Sequence, residues 1–148
     1  MTIWLAVFIE AGVKPPALAR GLANAFNVDV TRVAVLADTE EWLILMEGFE
    51  VVAETSPTCG EARLMATLFL FRDPAKVERV EDHTVVQALS DGLGCTVLLP
   101  DDVDVSPFNY LRFRPSVPAD RVSLDPDGLD EDPVRVEVCG PSSPLSRP

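Results

Sequence analysis

IWLAVFIEAGVKPPALARGLANAFNVDVTRVAVLA, residues 3–37, sets the architecture of the chain. Its first seven residues, Ile3–Ile9, are rich in β-branched and aromatic side chains, which favours a buried strand. Pro15-Pro16 follows at a point where a helix can begin without wasting a backbone N–H, and the apolar residues after it recur at helical spacing. Residues 32–37 have the composition of a second strand. The segment therefore predicts a strand–helix–strand unit.

A second unit of the same kind follows later in the chain. Residues 63–71 form a long apolar run that predicts a strand. Asp82 is a suitable N-cap for a helix whose apolar residues fall on one side, and Gly92 or Gly94 would close it. Residues 95–99 predict another strand. Two such units give an α+β fold, a two-layer sandwich with a mainly antiparallel sheet and two helices, in which ferredoxin-like βαβ units are elaborated toward the C-terminus.

The segment between the two units permits two interpretations. Residues 42–46 and 49–53 flank a glycine turn, which predicts a hairpin. Asp38 and Glu41 instead have capping-box spacing, which would begin a short helix at Asp38. The hairpin is favoured, and residues 55–60 are then a loop.

The last third of the chain has a different composition. Residues 101–133 are rich in proline and aspartate. Residues 110–113 and 134–138 predict short strands, the second with the alternation of an edge strand. We expect a single α+β domain over residues 1–139, followed by an extended Pro/Ser-rich tail over residues 140–148.

The most informative global property is a formal net charge of −12, from 24 acidic and 12 basic residues. Apolar residues make up 47% of the chain, which is enough for an ordinary core, so the acidic residues are expected on the surface of a folded protein. A surface of this sign repels nucleic acid and anionic lipid and attracts basic surfaces. Part of the charge also serves solubility, which requires no specific partner.

The cysteines and the first strand indicate the compartment. Cys59, Cys95 and Cys139 are too few and too scattered for a disulfide framework, which favours reduced thiols in a cytoplasm. Ile3–Ile9 follows no basic region and is too short to span a bilayer, which argues against a signal peptide or a membrane anchor. We therefore expect a cytoplasmic protein. Cys95 and Cys139 are predicted to be small core residues, and Cys59 is predicted to lie in a loop.

Motifs of known enzyme and cofactor sites are absent from the sequence. It contains no GxxxxGKS or GxxxxGKT, no GxGxxG after a strand and no GxSxG. His83 is the only histidine, so a second one is missing for a metal site, and nothing in the sequence brings Cys59 to it. The carboxylates of residues 125–132 lack the glycine and glutamate positions of an EF-hand and are interpreted as solvated turns. We expect no catalytic residue, no metal and no cofactor.

Arg112 and Arg114 form the one concentrated basic spot of the sequence. They alternate with Leu111 and Phe113 on a predicted strand, so both arginines point the same way. Two uses are open, which are binding of an anion and pairing with neighbouring aspartates. The second is preferred.

A long acidic run distinguishes the first half of the chain. Between Val33 and Ala62 there is no lysine or arginine, while seven carboxylates fall there. On the hairpin interpretation, Glu50, Val52 and Glu54 share one face, which gives an acidic outer face over an apolar inner one. A partner would be attracted by carboxylates and anchored by aromatic side chains. The residues predicted to bind it are Asp38, Glu40, Glu41, Trp42, Glu47, Glu50, Glu54, Asp101, Asp102, Asp104, Phe108 and Tyr110.

In general character the chain resembles the immunity proteins that neutralise bacterial antibacterial toxins. The resemblance is carried by the acidic run Asp38–Glu61, by the acidic residues of Asp101–Asp132 and by the lack of catalytic motifs, and it includes no family motif. It implies a tight complex with a basic protein, in which carboxylates occlude the cationic active site of a toxin. The alternative is a small-molecule-binding or enzymatic α+β domain with a cleft between helices and sheet, using Arg112, His83 or Cys59.

Overall fold

The computed structural model describes residues 2–37, 48–71, 82–101 and 106–141. The strands are β1 (Thr2–Ile9), β2 (Val33–Leu36), β3 (Val51–Pro57), β4 (Cys59–Gly60), β5 (Leu64–Leu70), β6 (Val97–Pro100), β7 (Asn109–Arg114), β8 (Val117–Leu124), β9 (Arg135–Val136) and β10 (Val138–Pro141). The helices are α1 (Pro15–Phe26), α2 (Asp82–Leu93) and the short α3 (Pro126–Leu129), with a 3-10 turn at Val30–Arg32.

Eight of these strands form one sheet in the order β10-β8-β7-β6-β1-β5-β3-β2, and β4 pairs with β9 in a separate two-stranded ribbon. All neighbours in the large sheet are antiparallel except β2 and β3. Along the chain, α1 lies between β1 and β2, and α2 lies between β5 and β6. The strand pairings make β1 and β2 run in one direction and β5 and β6 run in the other, so each helix joins two strands of the same direction. The predicted two-layer α+β sandwich with a mainly antiparallel sheet is confirmed.

One face of the sheet is covered by α1 and α2, which also contact each other. The apolar residues of each helix recur at helical spacing and enter a common core with Val7 and Ile9 of β1. Buried Ser90 ties α2 to the strands, since its Oγ lies 2.7 Å from the Cys95 carbonyl oxygen and 3.1 Å from the Phe113 carbonyl oxygen. The helical layer is therefore fixed by packing and by a buried hydrogen-bonded hydroxyl.

The opposite face of the sheet carries a second apolar cluster near β1, β6, β7 and β8. Phe8, Tyr110, Val122 and Leu124 point into it from the sheet, and fully buried Val136 of β9 closes it. Cys59 N–H donates to the Val134 carbonyl oxygen at 2.9 Å, so β4 and β9 lie side by side. The segment around α3 and β9 thus folds back across the sheet and covers this cluster.

The hairpin predicted for residues 42–46 and 49–53 is wrong for the strand that is described. β3 pairs over Val51–Ala53 with β2 on one side and with β5 on the other, so both of its edges are occupied. Residues 42–46 lie outside the described residues. The predicted loop at 55–60 is also wrong, because β3 continues to Pro57 and β4 follows at Cys59–Gly60.

The strand prediction in the last third was incomplete. Residues 110–113 lie in β7 as expected, but β8 was not predicted, and the single strand expected at 134–138 is divided into β9 and β10. β10 continues to Pro141, two residues into the segment assigned to the tail. Cys95 is buried as predicted, whereas Cys139 is exposed, because it lies on the edge strand β10.

Truncation of the α1 core should measure how much the helical layer stabilises the domain. Leu22 is 0% exposed, so Leu22→Ala is expected to lower the free energy of unfolding by about 2–5 kcal/mol. Asn24→Ala, on the exposed side of the same helix, should change it by less than about 0.5 kcal/mol. Urea denaturation followed by circular dichroism tests both, and equal effects would contradict the assigned faces of α1.

Candidate functional site

The structure describes five of the twelve residues predicted to bind a partner. These are Glu50, Glu54, Asp101, Phe108 and Tyr110. The other seven, Asp38, Glu40, Glu41, Trp42, Glu47, Asp102 and Asp104, lie outside the described residues.

The face that carries Val52 is not the acidic face that was predicted. Val52 is only 3% exposed and packs with Ala34, Leu36 and Phe69. The reason is the parallel pairing of β2 with β3, which places Ala34 beside Val52. Glu50 lies at the margin of this cluster, where its Oε2 is 3.8 Å from Arg32 Nε. One carboxylate of the acidic run, Glu50, therefore pairs with Arg32, which directly precedes the run in sequence.

Asp101 and Tyr110 lie inside the domain, while Phe108 lies on its surface. The Asp101 side chain is 1% exposed, and its Oδ2 is 3.2 Å from Nε of Arg121. Tyr110 packs against Phe8 with the ring centres 5.7 Å apart, and its burial raises the pKa of the phenol. Phe108 is 37% exposed and is the only aromatic among the exposed large apolar side chains of the described residues. Of the predicted aromatic anchors that are described, only Phe108 is accessible.

The densest group of charges in the described residues surrounds Arg135. We call it the Arg135 cluster; it consists of Arg135 and the six carboxylates Asp125, Asp127, Asp130, Glu131, Asp132 and Glu137. A quarter of the chain's acidic residues thus fall within thirteen positions that contain one basic residue. All of these carboxylates except half-buried Asp125 are exposed.

Three carboxylates of the Arg135 cluster bind its single guanidinium. Glu131 Oε2 lies 2.9 Å from Nε, Glu137 Oε2 lies 2.8 Å from Nη1, and Asp125 Oδ2 lies 3.2 Å from Nη1. These hydrogen bonds, led by those that Arg135 donates to Glu131 and then to Glu137, raise the pKa of Arg135 further above its usual range. The guanidinium therefore stays charged and holds the three acids in fixed positions.

The other three carboxylates of the cluster have no cation beside them among the residues that the structure describes. Asp127, Asp130 and Asp132 are exposed, and none of them makes an ion pair within the part of the chain that the structure describes. Their charges add to a field that three anions around one cation already leave negative. The cluster is thus an anionic surface with a net formal charge of −5 over residues 125–137.

Close backbone contacts hold the Arg135 cluster against the domain. A Cβ on Gly128 of α3 would lie 2.2 Å from the Arg135 carbonyl oxygen, and one on Gly60 of β4 would lie 2.2 Å from the Val136 carbonyl oxygen. Glu61 extends this contact, since its Oε2 accepts a hydrogen bond from Val138 N–H. Glycine is required at both positions because the backbones approach too closely for any side chain.

Phe108 lies beside this cluster. The Phe108 carbonyl oxygen accepts a 2.8 Å hydrogen bond from Leu124 N–H. Asp125, which follows Leu124, donates its N–H to the Glu137 carbonyl oxygen at 2.9 Å. The backbone of exposed Phe108 is therefore hydrogen-bonded to the residue that directly precedes Asp125 of the anionic surface. Such a combination suits a basic protein surface, because charge attracts the partner and the ring supplies apolar contact area.

Arg112 and Arg114 pair with an aspartate, as preferred from the sequence. Arg112 donates to both carboxylate oxygens of Asp120, at 3.1 and 2.6 Å, and Arg114 Nη2 lies 3.7 Å from the same group. The hydrogen bond from Arg112 holds the pKa of Asp120 below 3.8. The two arginines of the basic spot thus share one carboxylate of the neighbouring strand.

His83, Cys59 and Arg112 do not converge on one site. His83 lies on α2, with its ring 5.8 Å from that of Phe113, on the helical face of the sheet. Arg112 alternates with Phe113 along β7 and therefore points to the other face. Cys59 is half-buried in β4 rather than in an open loop. Of these three residues, His83 lines a groove between α2 and the sheet, whereas Arg112 and Cys59 do not line that groove.

The Arg135 cluster was visible in the sequence as residues 125–132 but was not predicted as a partner site. Its signal was the density of carboxylates, whereas the role of Arg135 and Glu137 depends on the return of β9 to α3.

Among the described residues, no group of three or more His, Cys, Asp or Glu side chains is arranged to hold a metal ion.

Comparisons with protein-family models, with curated proteins and with solved structures returned no match. None of the described helices is both long enough and apolar enough to cross a membrane. Any function proposed for the chain therefore depends on its own residues.

The close contact at Gly128 should be essential for the Arg135 cluster. Gly128→Ala places a Cβ against the backbone of β9 and is expected to lower the free energy of unfolding by about 1–3 kcal/mol. Gly92→Ala is the matched control, because Gly92 is an exposed helical glycine with no atom near its added Cβ, and it should stabilise the domain by about 0.5–1 kcal/mol. Urea denaturation of both variants gives the comparison; stabilisation by both would contradict the contact.

The Arg112–Asp120 pair should contribute a pH-dependent part of stability. Because the folded pKa of Asp120 is lowered, its contribution is present above pH 3.8 and is lost as the pH falls through the folded pKa. Asp120→Asn is expected to cost up to about 1 kcal/mol at neutral pH, and the difference from wild type should shrink in acid. Denaturation at several pH values measures this, and a deficit that stays constant with pH would argue against the pair.

Proposed function

We propose that this chain is an acidic protein-binding module of the immunity-protein kind, which acts in the cytoplasm and neutralises a toxin by occluding its cationic active site. The observation that carries the proposal is the Arg135 cluster with exposed Phe108 beside it. The carboxylates supply charge complementarity to a basic surface, and Phe108 supplies the apolar contact that charge alone lacks.

The internal pairing of the cluster supports binding rather than solubility alone. Carboxylates that serve only solubility need no fixed geometry, whereas Asp125, Glu131 and Glu137 are held by one guanidinium. Fixed acceptors lose little conformational freedom when a partner binds. Asp127 and Asp130, which make no ion pair among the described residues, remain available to cations of that partner.

Occlusion is the mode of neutralisation that this chemistry favours. An active site that handles a polyanionic substrate such as nucleic acid is lined by lysine and arginine, and fixed carboxylates can stand in for its phosphates. The same negative field repels nucleic acid itself, so the module would not compete for the toxin's substrate by binding it.

Affinity capture from lysate of the cells that produce the chain, with washes of rising salt and identification by mass spectrometry, tests the proposal. A basic protein retained at high salt is expected, since an apolar anchor resists screening whereas charge alone does not. Its activity should then be abolished by one equivalent of the purified chain. Absence of any basic protein even at low salt would argue against a protein partner.

Variants separate the two contributions in the captured complex. Phe108→Ala should speed dissociation by about 30-fold or more if the ring is an energetic centre of the interface. Asp130→Lys should slow association and weaken its salt dependence. Glu10→Lys is the matched charge control, exposed at the end of β1, and should change either rate much less. Equal effects of Asp130→Lys and Glu10→Lys would show that the Arg135 cluster is not the contact surface.

A further inference from the structure

A groove of about 480 Å³ lies on the helical face of the sheet, between α2 and the strands β7 and β8. The groove is shallow and mostly open to solvent, so it has room for a small ligand without enclosing it. The groove is on the face opposite to the Arg135 cluster, so it has no part in the function proposed above. Its lining residues from α2 include His83, Thr84, Gln87 and Asp91, and those from the strands are Phe113 and Ala119.

Two of the polar side chains are held in place by hydrogen bonds to the β7–β8 turn. Gln87 Nε2 donates to Asp91 Oδ1 at 3.1 Å and to the Arg114 carbonyl oxygen at 2.9 Å. Ser116 N–H donates to the same Asp91 Oδ1 at 2.9 Å. The two amide hydrogens of Gln87 and one oxygen of Asp91 are therefore already used.

The atoms that remain unused on these side chains are acceptors. Gln87 Oε1 and Asp91 Oδ2 have no hydrogen-bond partner among the described residues. His83 and Thr84, which also line the groove, can each offer an acceptor, and no lysine or arginine is among the described residues that line it. The groove thus presents hydrogen-bond acceptors and one formal negative charge to a ligand.

The rest of the lining is apolar. Ala88 of α2 and Ala119 of β8 have short side chains that leave room above the buried ring of Phe113. Methylene groups fit such a surface, while a second charged group does not. The ligand that suits both parts of the groove is therefore a hydrogen-bond-donating cation on a short alkyl chain.

We propose that this groove binds an alkylguanidinium or alkylammonium group, with the cation on Asp91 Oδ2 and Gln87 Oε1 and the alkyl chain over Ala88 and Ala119. The group has two sources of the same chemistry, a free small amine or guanidine and an arginine or lysine side chain of another protein. Both would use the same acceptor pair, because the head groups donate several hydrogen bonds and carry one positive charge.

Titration of the full ¹⁵N-labelled chain with n-butylguanidinium at physiological ionic strength, followed by amide chemical shifts, tests the site. Shifts are expected along α2 at 83–91 and at 113–119. Asp91→Asn keeps an acceptor for Gln87 and Ser116 but removes the charge, and it should weaken binding by about tenfold or more. Glu10→Gln removes one exposed carboxylate charge outside the groove, keeps an acceptor for Thr96 N–H, and should leave the affinity unchanged.

Neutral n-butylurea, of nearly the same shape, should bind wild type about tenfold more weakly or worse, a comparison that does not require any variant to fold. Tighter binding of an acetyl-Gly-Arg-Gly-amide peptide than of n-butylguanidinium would identify a protein side chain as the source, and the reverse would identify a free small molecule. Shifts centred on residues 125–137, equal binding by Asp91→Asn, or equal binding of n-butylurea would each overturn the proposal. Loss of binding by Asp91→Asn would leave the protein-binding proposal untouched, because the Arg135 cluster lies on the other face.

Discussion

The structure depends on the burial of β1 on both of its faces. Val7 and Ile9 point into the core under α1 and α2, while Phe8 points the opposite way into the cluster with Tyr110 and Val136. A strand in the middle of an eight-stranded sheet cannot leave an aromatic face in water without a large cost. The helices cover one face only, so the segment around α3 and β9 has to return across the other.

That return brings the charges of the Arg135 cluster together. Val136 is buried in the apolar cluster with Phe8 and Tyr110. Its neighbours Arg135 and Glu137 point away from that cluster, because side chains of an extended segment alternate. Asp125 caps α3 through a 3.1 Å hydrogen bond from Asp127 N–H, and on either side of this short helix Asp125 and Glu131 reach the same guanidinium. The anionic surface is therefore a consequence of core burial rather than a separate element.

Sequence patterns predicted the elements whose side chains repeat with a clear period. The apolar spacing in α1 and α2 and the apolar runs of β1 and β5 belong to this group, because each buries one stripe or one whole strand. β8 was missed since Pro118, Asp120 and Arg121 interrupt any alternation, and its pairing is determined by β7 beside it. The sequence also could not predict that Phe108 is exposed while Tyr110 is buried. Alternation along a strand assigns side chains to two faces of the sheet, but it does not say which face another segment will cover.

The pairing of β4 with β9 joins positions 59 and 135 in a parallel ribbon. Contacts between residues so distant in sequence form late, because the entropic cost of closing a long loop comes before the stabilisation that the contacts supply. During synthesis the first βαβ unit is complete well before residue 135 leaves the ribosome. The acidic surface consequently exists only on a chain that has nearly finished folding, so a partner that recognises it distinguishes the mature domain from its nascent forms.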